Sequence, residues 1–178
     1  MYLDAAYVAK YYLNEPDSPR VRKVIQGAGA LISSAWSIAE VSCVFHRYLR
    51  QGDLSAKQIQ QLSREFLAHV DSELWTLVPV SAGLIRRVTS LVATLPPEVF
   101  LRAGDAVQLV SALEAGEPEV WTNDRHMLAA AALRPGGTQR VTSIPPPGLR
   151  EGAGFSCRRG ARRLRDPGRR TCRCRRPG

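Results

Sequence analysis

Apolar and polar residues alternate along this chain with two spacings, roughly two residues over short runs and roughly 3.6 residues over longer ones. The short runs predict strands at 1–4, 30–33, 74–80, 119–122 and 139–144. The longer runs predict amphipathic helices near 6–13, 18–27, 36–50, 55–72, 81–94, 103–115 and 125–133. Because strands and helices alternate, we expect an α/β fold with a central, mainly parallel sheet flanked by helices.

Helix ends are marked by residues that commonly stop a helix. Leu84, Val88 and Leu91 share one helical stripe, and the proline at 96 ends it. Gly52 and Gly116 stand where helix C-caps are expected. These signals support the helix boundaries given above.

The composition of the chain changes after residue 144. Three prolines and a glycine at 145–148 break any regular element, and the residues that follow are mainly Arg, Gly, Pro and Cys. So few apolar residues cannot offset the entropy lost on folding. We therefore predict one domain at 1–144, and a Pro/Gly/Arg-rich tail at 145–178 that is disordered.

The positive charge of the chain belongs to this tail. Residues 1–148 contain 14 Lys and Arg against 14 Asp and Glu, whereas 149–178 contain 11 Arg against Glu151 and Asp166, which accounts for the net charge of +9. One interpretation is an RNA tether that binds by releasing counterions. The other is a segment without selected function, since a shifted reading frame in a GC-rich gene produces this composition.

Targeting and redox signals point to one compartment. No apolar run reaches the roughly 18 residues of a membrane span, and no signal-peptide pattern opens the chain. Cys43 lies in the domain, while Cys157, Cys172 and Cys174 lie in the tail, so no disulfide is expected to join parts of the core. We expect a soluble cytoplasmic protein with no membrane partner.

Four carboxylates fall near the carboxyl ends of predicted strands, where ligands bind in parallel α/β sheets. Asp4 ends the first strand, Asp124 follows the fourth, Glu40 lies about one turn into a helix, and Asp105 begins the helix at 103–115. Each has an alternative role as a helix cap, a capping-box residue with Ser37 in the case of Glu40, or a partner of the helix dipole.

The presence of all four carboxylates in one region favours a bound cation. Like charges about 4 Å apart repel by about 4 kcal/mol at an effective dielectric near 20, so such a cluster requires raised pKa values or a bound cation. Mg²⁺ takes oxygen ligands and keeps several waters, which suits a site that also accepts a phosphate. Thr122, at the end of the fourth strand, is predicted either to hold a carboxylate or a water in place, or to be an ordinary β-branched strand residue.

Several segments carry a likeness to a known family. They are YLD at 2–4, VAKYY at 8–12, EP at 15–16, SIAEV at 37–41, LRAGDA at 101–106, WTND at 121–124 and LAAA at 128–131. In this order and spacing the chain resembles the PIN-domain nucleases, specifically the VapC-type toxins of toxin–antitoxin pairs.

The resemblance implies a set of functional properties. Asp4, Glu40, Asp105 and Asp124 would be catalytic residues and ligands of Mg²⁺ or Mn²⁺, in an enzyme that hydrolyses RNA phosphodiester bonds. The protein would form a homodimer and be neutralised by a cognate antitoxin. No catalytic role is expected for the three histidines, His46, His69 and His126.

Two other functions remain open from the sequence. The same fold could serve as a non-catalytic module that binds RNA or a protein partner, with the acids acting as caps. A nuclease that acts on DNA would use the same metal chemistry.

Overall fold

Each predicted strand and helix is present in the computed structural model, which describes residues 1–132 and 140–143. The strands are β1 (Tyr2–Leu3), β2 (Ile32–Ser34), β3 (Thr76–Val78), β4 (Glu119–Trp121) and β5 (Arg140–Thr142). The helices are α1 (Ala5–Tyr12), α2 (Ser18–Gln26), α3 (Ser37–Gln51), α4 (Ala56–Asp71), α5 (Ala82–Ala93), α6 (Ala103–Glu114) and α7 (Arg125–Ala132).

The strands form one sheet in the order β3-β2-β1-β4-β5. Every neighbouring pair is parallel, with Tyr2 opposite both Ile32 and Val120. The predicted parallel α/β fold is thus confirmed. Because β1 is central, the chain that leaves it lies between the ends of β2 and β4.

The two residues of β1 face opposite sides of the sheet, as the pleat requires. Leu3 belongs to an apolar cluster with α1, α2, α3, α4 and Trp75, and Tyr2 belongs to a second cluster with α5, α6 and α7. Both side chains are fully buried. The core therefore consists of two helical layers with the sheet between them.

Local signals explain several element ends. Ser55 caps α4 in a capping box with Gln58, and Ser81 caps α5 through the N–H of Leu84. Gly52 and Gly116 adopt φ values of 80° and 68°, left-handed conformations that a side chain would strain. The predicted helix stops at these glycines are confirmed.

The strand ends differ slightly from the prediction. The second strand begins at Ile32 instead of residue 30, and β3 is shorter than the predicted 74–80. The predicted tail at 145–178, the domain end at 144 and part of the last predicted strand lie outside the described residues. No helix in the described part of the chain is long and apolar enough to cross a membrane.

Candidate active site

Four carboxylates from four segments lie around the carboxyl end of β1. Asp4 follows β1 directly, Glu40 lies in the first turn of α3, Asp105 lies in the first turn of α6, and Asp124 precedes α7. Asp4 interacts electrostatically with Glu40 and Asp124, and Asp105 does so with the same two residues. The four acids predicted from the sequence therefore share one electrostatic environment.

Asp4 is the most deeply buried member of the four, with 4% of its surface exposed. One carboxylate oxygen accepts the backbone N–H of Tyr7 at 2.8 Å, and the other accepts the hydroxyl of Thr122. Burial raises the pKa of Asp4 to about 6, with Glu40 and Asp124 also raising it and the two hydrogen bonds opposing the change. A buried carboxylate of this kind is stabilised in its charged form by a nearby cation.

Glu40 is held by a polar residue of a neighbouring helix. The side-chain amide of Gln108 donates to its Oε2 at 2.6 Å, and the indole of Trp36 also forms a hydrogen bond with it. Burial and the charge of Asp105 raise the pKa of Glu40, while these two hydrogen bonds lower it. The carboxylate thus has a fixed position in a partly desolvated setting.

A glycine makes room for Glu40. A Cβ at Gly104 would lie 2.6 Å from Oε1 of Glu40 and 3.3 Å from Nε1 of Trp36. The first distance is below any normal contact, so only glycine allows the carboxylate to occupy its observed position.

Asp105 lies at the start of α6, where its Oδ2 accepts the backbone N–H of Arg102 at 3.2 Å. Burial is the largest cause that raises the pKa of Asp105, and the charge of Asp124 also raises it. The backbone hydrogen bond and the charges of Arg102 and His126 oppose this shift.

Thr122 connects Asp4 to the loop that carries Asp124. Its hydroxyl donates to Asp4 and accepts the backbone N–H of Asp124 at 2.9 Å. Thr122 is fully buried. Its hydroxyl therefore couples the positions of two acids.

The alternative capping roles are present for three of the acids. Asp4 caps α1, Asp105 accepts from the residue before α6, and Asp124 accepts the N–H groups of His126 and Met127 at 2.7 and 3.1 Å. Glu40 differs from them. The capping box suggested by Ser37 and Glu40 is not formed, because α3 already includes Ser37, whose hydroxyl bonds to Ser33 and Gln108.

The sequence prediction did not include Gln108, Trp36 or Gly104. Gln108 is 1% exposed within a helix that is otherwise apolar over Ala106 to Ala112, apart from Ser111. The only feature of the sequence that could have identified Gln108 is a single amide side chain at a helix position where burial is expected. Its partners could not be identified without the fold.

The three histidines occupy different environments. His46 is exposed on α3, and His69 bonds through Nδ1 to the hydroxyl of Tyr12 at 2.9 Å, within an aromatic cluster on α1 and α4. His126 is the histidine nearest the acids among the described residues, since its backbone binds Asp124 and its charge affects Asp105.

The donor atoms suit a hard cation, because all four candidate ligands are carboxylates. In their observed positions, no three His, Cys, Asp or Glu side chains of the described residues are close enough to hold a metal ion together. Mg²⁺ commonly keeps several water ligands and contacts only one or two carboxylates directly. The arrangement therefore fits an ion bound partly through water better than one enclosed by four direct ligands.

Comparisons with known proteins agree with the architecture. A family model described as "PIN domain" matches residues 1–133. The crystal structure of VapC20 from Mycobacterium tuberculosis, described as a toxin that cleaves the sarcin-ricin loop, aligns with a TM-score of 0.58 and 12% sequence identity, over 72% of this chain and 93% of that one. No curated protein sequence matches significantly. At this identity, the structural match indicates a common fold.

Proposed function

Because this chain belongs to the PIN domain family, we propose that it is a metal-dependent endoribonuclease toxin of the VapC type that hydrolyses RNA phosphodiester bonds. The carrying observation is the group of four carboxylates at the end of β1, each of which interacts electrostatically with two of the others, and three of which have raised pKa values. Raised values mean that this fold disfavours the charged forms in the absence of a cation. Helix caps alone do not require the acids to share one environment.

In the proposed enzyme, Asp4, Glu40, Asp105 and Asp124 would hold Mg²⁺, or Mn²⁺ in its place, partly through bound water. Such an ion, when bound, stabilises negative charge on the phosphate oxygens and makes a nearby water a better nucleophile. The chain supplies the geometry. Thr122 fixes Asp4 relative to Asp124, and Gln108 with Trp36 fixes Glu40.

The remaining properties rest on the likeness to VapC toxins. We propose that the protein acts in the cytoplasm as a homodimer and is neutralised by a cognate antitoxin. The fold shared with the mycobacterial toxin supports this assignment at the level of architecture.

Incubation of the purified protein with total RNA, with and without Mg²⁺, tests the proposal. We expect cleavage by the wild type with Mg²⁺, and a loss of at least about a hundredfold in Asp105→Asn, as is typical when a group that stabilises the transition state is removed. Asp71→Asn is the matched control, because Asp71 is exposed at the end of α4. It should cleave like the wild type.

Two results would reject the enzyme. Equal cleavage by wild type and Asp105→Asn would assign the activity to a contaminant. No cleavage by wild-type protein freed of any inhibitor would favour the non-catalytic binding module.

A further inference from the structure

An exposed aromatic ring, two arginines and a histidine lie beside Asp105 and Asp124. They are Phe100, Arg102, Arg125 and His126, which we call the aromatic–cationic rim. Phe100 is 58% exposed, more than any other large apolar side chain in the described part of the chain. Packing in the core does not account for an aromatic residue at position 100, since most of the surface of the Phe100 ring contacts no protein.

The rim is organised rather than a chance set of surface residues. The ring of His126 meets that of Phe100 edge to face, with centroids 4.8 Å apart and planes at 71°. The Arg102 guanidinium lies over the Phe100 ring at 6.0 Å from its centroid, and Arg125 Nε donates to the His126 ring at 3.3 Å. The aromatic surface is thus surrounded by positive and polar groups.

Backbone hydrogen bonds tie the rim to the acids. The N–H of Arg102 donates to Asp105, and the N–H of His126 donates to Asp124. The charges of Arg102 and His126 also lower the pKa of Asp105. The Phe100 ring, which contacts Arg102 and His126, therefore lies close to two of the acids.

The charges indicate what kind of polymer could bind there. Four carboxylates repel a phosphodiester chain, and cations at their edge offset that repulsion. A ring with a free surface beside cations matches the way in which proteins bind single-stranded nucleic acid, by stacking bases on aromatic rings while Arg contacts phosphates. In a duplex the bases stack on each other, so only an unpaired base can stack on Phe100.

We propose that the aromatic–cationic rim binds one unpaired nucleotide of the substrate, with its base stacked on Phe100 and an adjacent phosphate at Arg102 or Arg125. That this strand is RNA rests on the proposed function. The rim would direct the enzyme to single-stranded or looped sites and would position the neighbouring phosphodiester at the acids.

Binding is measured with the full-length chain in EDTA, using a fluorescein-labelled single-stranded RNA and the same RNA as a duplex. EDTA removes divalent ions, so binding is separated from cleavage. All variants keep the Arg-rich tail, and its contribution cancels when they are compared. We expect Phe100→Ala to weaken single-strand binding about tenfold, while duplex binding is unchanged.

Matched variants identify the kind of contact. Phe100→Trp should bind like the wild type, because stacking needs an aromatic face. Val92→Ala, at a 48% exposed aliphatic position on α5, should also bind like the wild type. Replacing by Gln whichever of Arg102 and Arg125 contacts the phosphate should reduce by about one the slope of log affinity against log salt, as expected for one lost phosphate contact.

The outcomes separate this inference from the proposed function. Binding that depends on Phe100 in a protein that does not cleave RNA would support the rim and reject the enzyme. Cleavage by the wild type with unchanged single-strand affinity in Phe100→Ala would reject the rim and leave the enzyme. If Phe100→Ala changed the sedimentation of the protein without changing its RNA affinity, the surface would be a protein interface and the inference would be overturned. Absence of RNA binding by the wild type would also overturn the inference.

Discussion

The hydrogen bonds of Asp4 and its burial affect its ionisation in opposite directions. It caps α1 and accepts the hydroxyl of Thr122, and both hydrogen bonds favour the carboxylate. Burial beside Glu40 and Asp124 favours the neutral acid, and burial is the dominant effect. The position of Asp4 after the first strand could be predicted from the sequence, but this balance could not, because it depends on groups from α3 and from the segment after β4.

The raised pKa of Asp4 predicts a pH dependence of stability in the metal-free protein. Between about pH 4 and pH 6 the unfolded chain releases the proton of this carboxyl while the folded chain retains it, so the free energy of unfolding falls as the pH rises. A pKa raised from 3.8 to about 6 corresponds to a loss on the order of 3 kcal/mol, nearly complete by pH 7.

Urea unfolding in EDTA at pH 4 and pH 7, for the wild type and for Asp4→Asn, measures this effect. The variant lacks the titrating group, so it should gain stability relative to the wild type as the pH rises. The contributions of other ionisable groups to the pH dependence are largely the same in both proteins, so they cancel in the comparison. A relative loss of stability with rising pH would show that the pKa is lowered, contrary to the prediction.

Gly104 permits a test in which stability and function change differently. A methyl group at this position would displace the carboxylate of Glu40, which is the movable end of a side chain. Alanine also favours a helix over glycine by up to about 1 kcal/mol. We therefore expect Gly104→Ala to fold with equal or slightly higher stability, but to bind Mg²⁺ about tenfold more weakly, as when the groups supporting metal ligands are changed.

Gly83→Ala is the control, since Gly83 is likewise the second residue of its helix and a Cβ there makes only an ordinary 3.4 Å contact with Ser81. Calorimetric Mg²⁺ titration and thermal unfolding distinguish the two variants. Equal Mg²⁺ affinity in both would show that the position of Glu40 does not matter for metal binding.

At the level of elements, the sequence predicts α6 as a helix but does not predict the contacts that this helix makes with the site. Its apolar run and the glycine after it define the helix, and Asp105 was recognised at its start. The role of Gln108 in joining α6 to β1 and α3 was missed. Its partners Tyr2 and Ser37 are 106 and 71 residues away in the sequence, so no local pattern connects them.

Replacing Gln108 by Leu should affect both stability and the site. The amide accepts the hydroxyl of Tyr2 at 2.7 Å and donates to Ser37 and Glu40 at 3.0 and 2.6 Å. Leucine leaves buried polar groups with fewer partners, which costs about 1–3 kcal/mol for a group left unsatisfied. We expect Gln108→Leu to lower the free energy of unfolding by about 2 kcal/mol and to weaken Mg²⁺ binding.

Gln60→Leu, at an exposed position on α4, is the comparison for urea unfolding and should change stability by less than about 0.5 kcal/mol. If Gln108→Leu were as stable as Gln60→Leu, the buried amide would make no net contribution to folding.

For the molecule as a whole, the strand order determines which acids meet. The alternation of strands and helices predicts a parallel sheet, but it does not predict the order β3-β2-β1-β4-β5. With β1 in the centre, Asp4 lies between the segments that follow β2 and β4, which carry Glu40 and Asp124. The expectation that the four acids meet came from their places near the carboxyl ends of parallel strands, and strand periodicity alone does not give the strand order.

Because the four acids come from different parts of the fold, the repulsion between them lowers the stability of the whole folded domain. Removing one charge should therefore stabilise the metal-free protein, while removing a ligand should reduce its stabilisation by Mg²⁺. For the wild type at pH 7, Mg²⁺ at roughly ten times its Kd should stabilise the folded state by about 1.4 kcal/mol, which raises Tm by a few degrees.

Thermal unfolding of Asp105→Asn with and without Mg²⁺ tests both effects together. In EDTA its Tm should equal or exceed that of the wild type, because the repulsion between Asp105 and its neighbours Glu40 and Asp124 is gone and asparagine can still accept the Arg102 N–H. With Mg²⁺ its Tm should rise less than that of the wild type, and Asp71→Asn should respond fully. A lower Tm in EDTA together with an undiminished Mg²⁺ response would identify Asp105 as a structural cap that takes no part in metal binding.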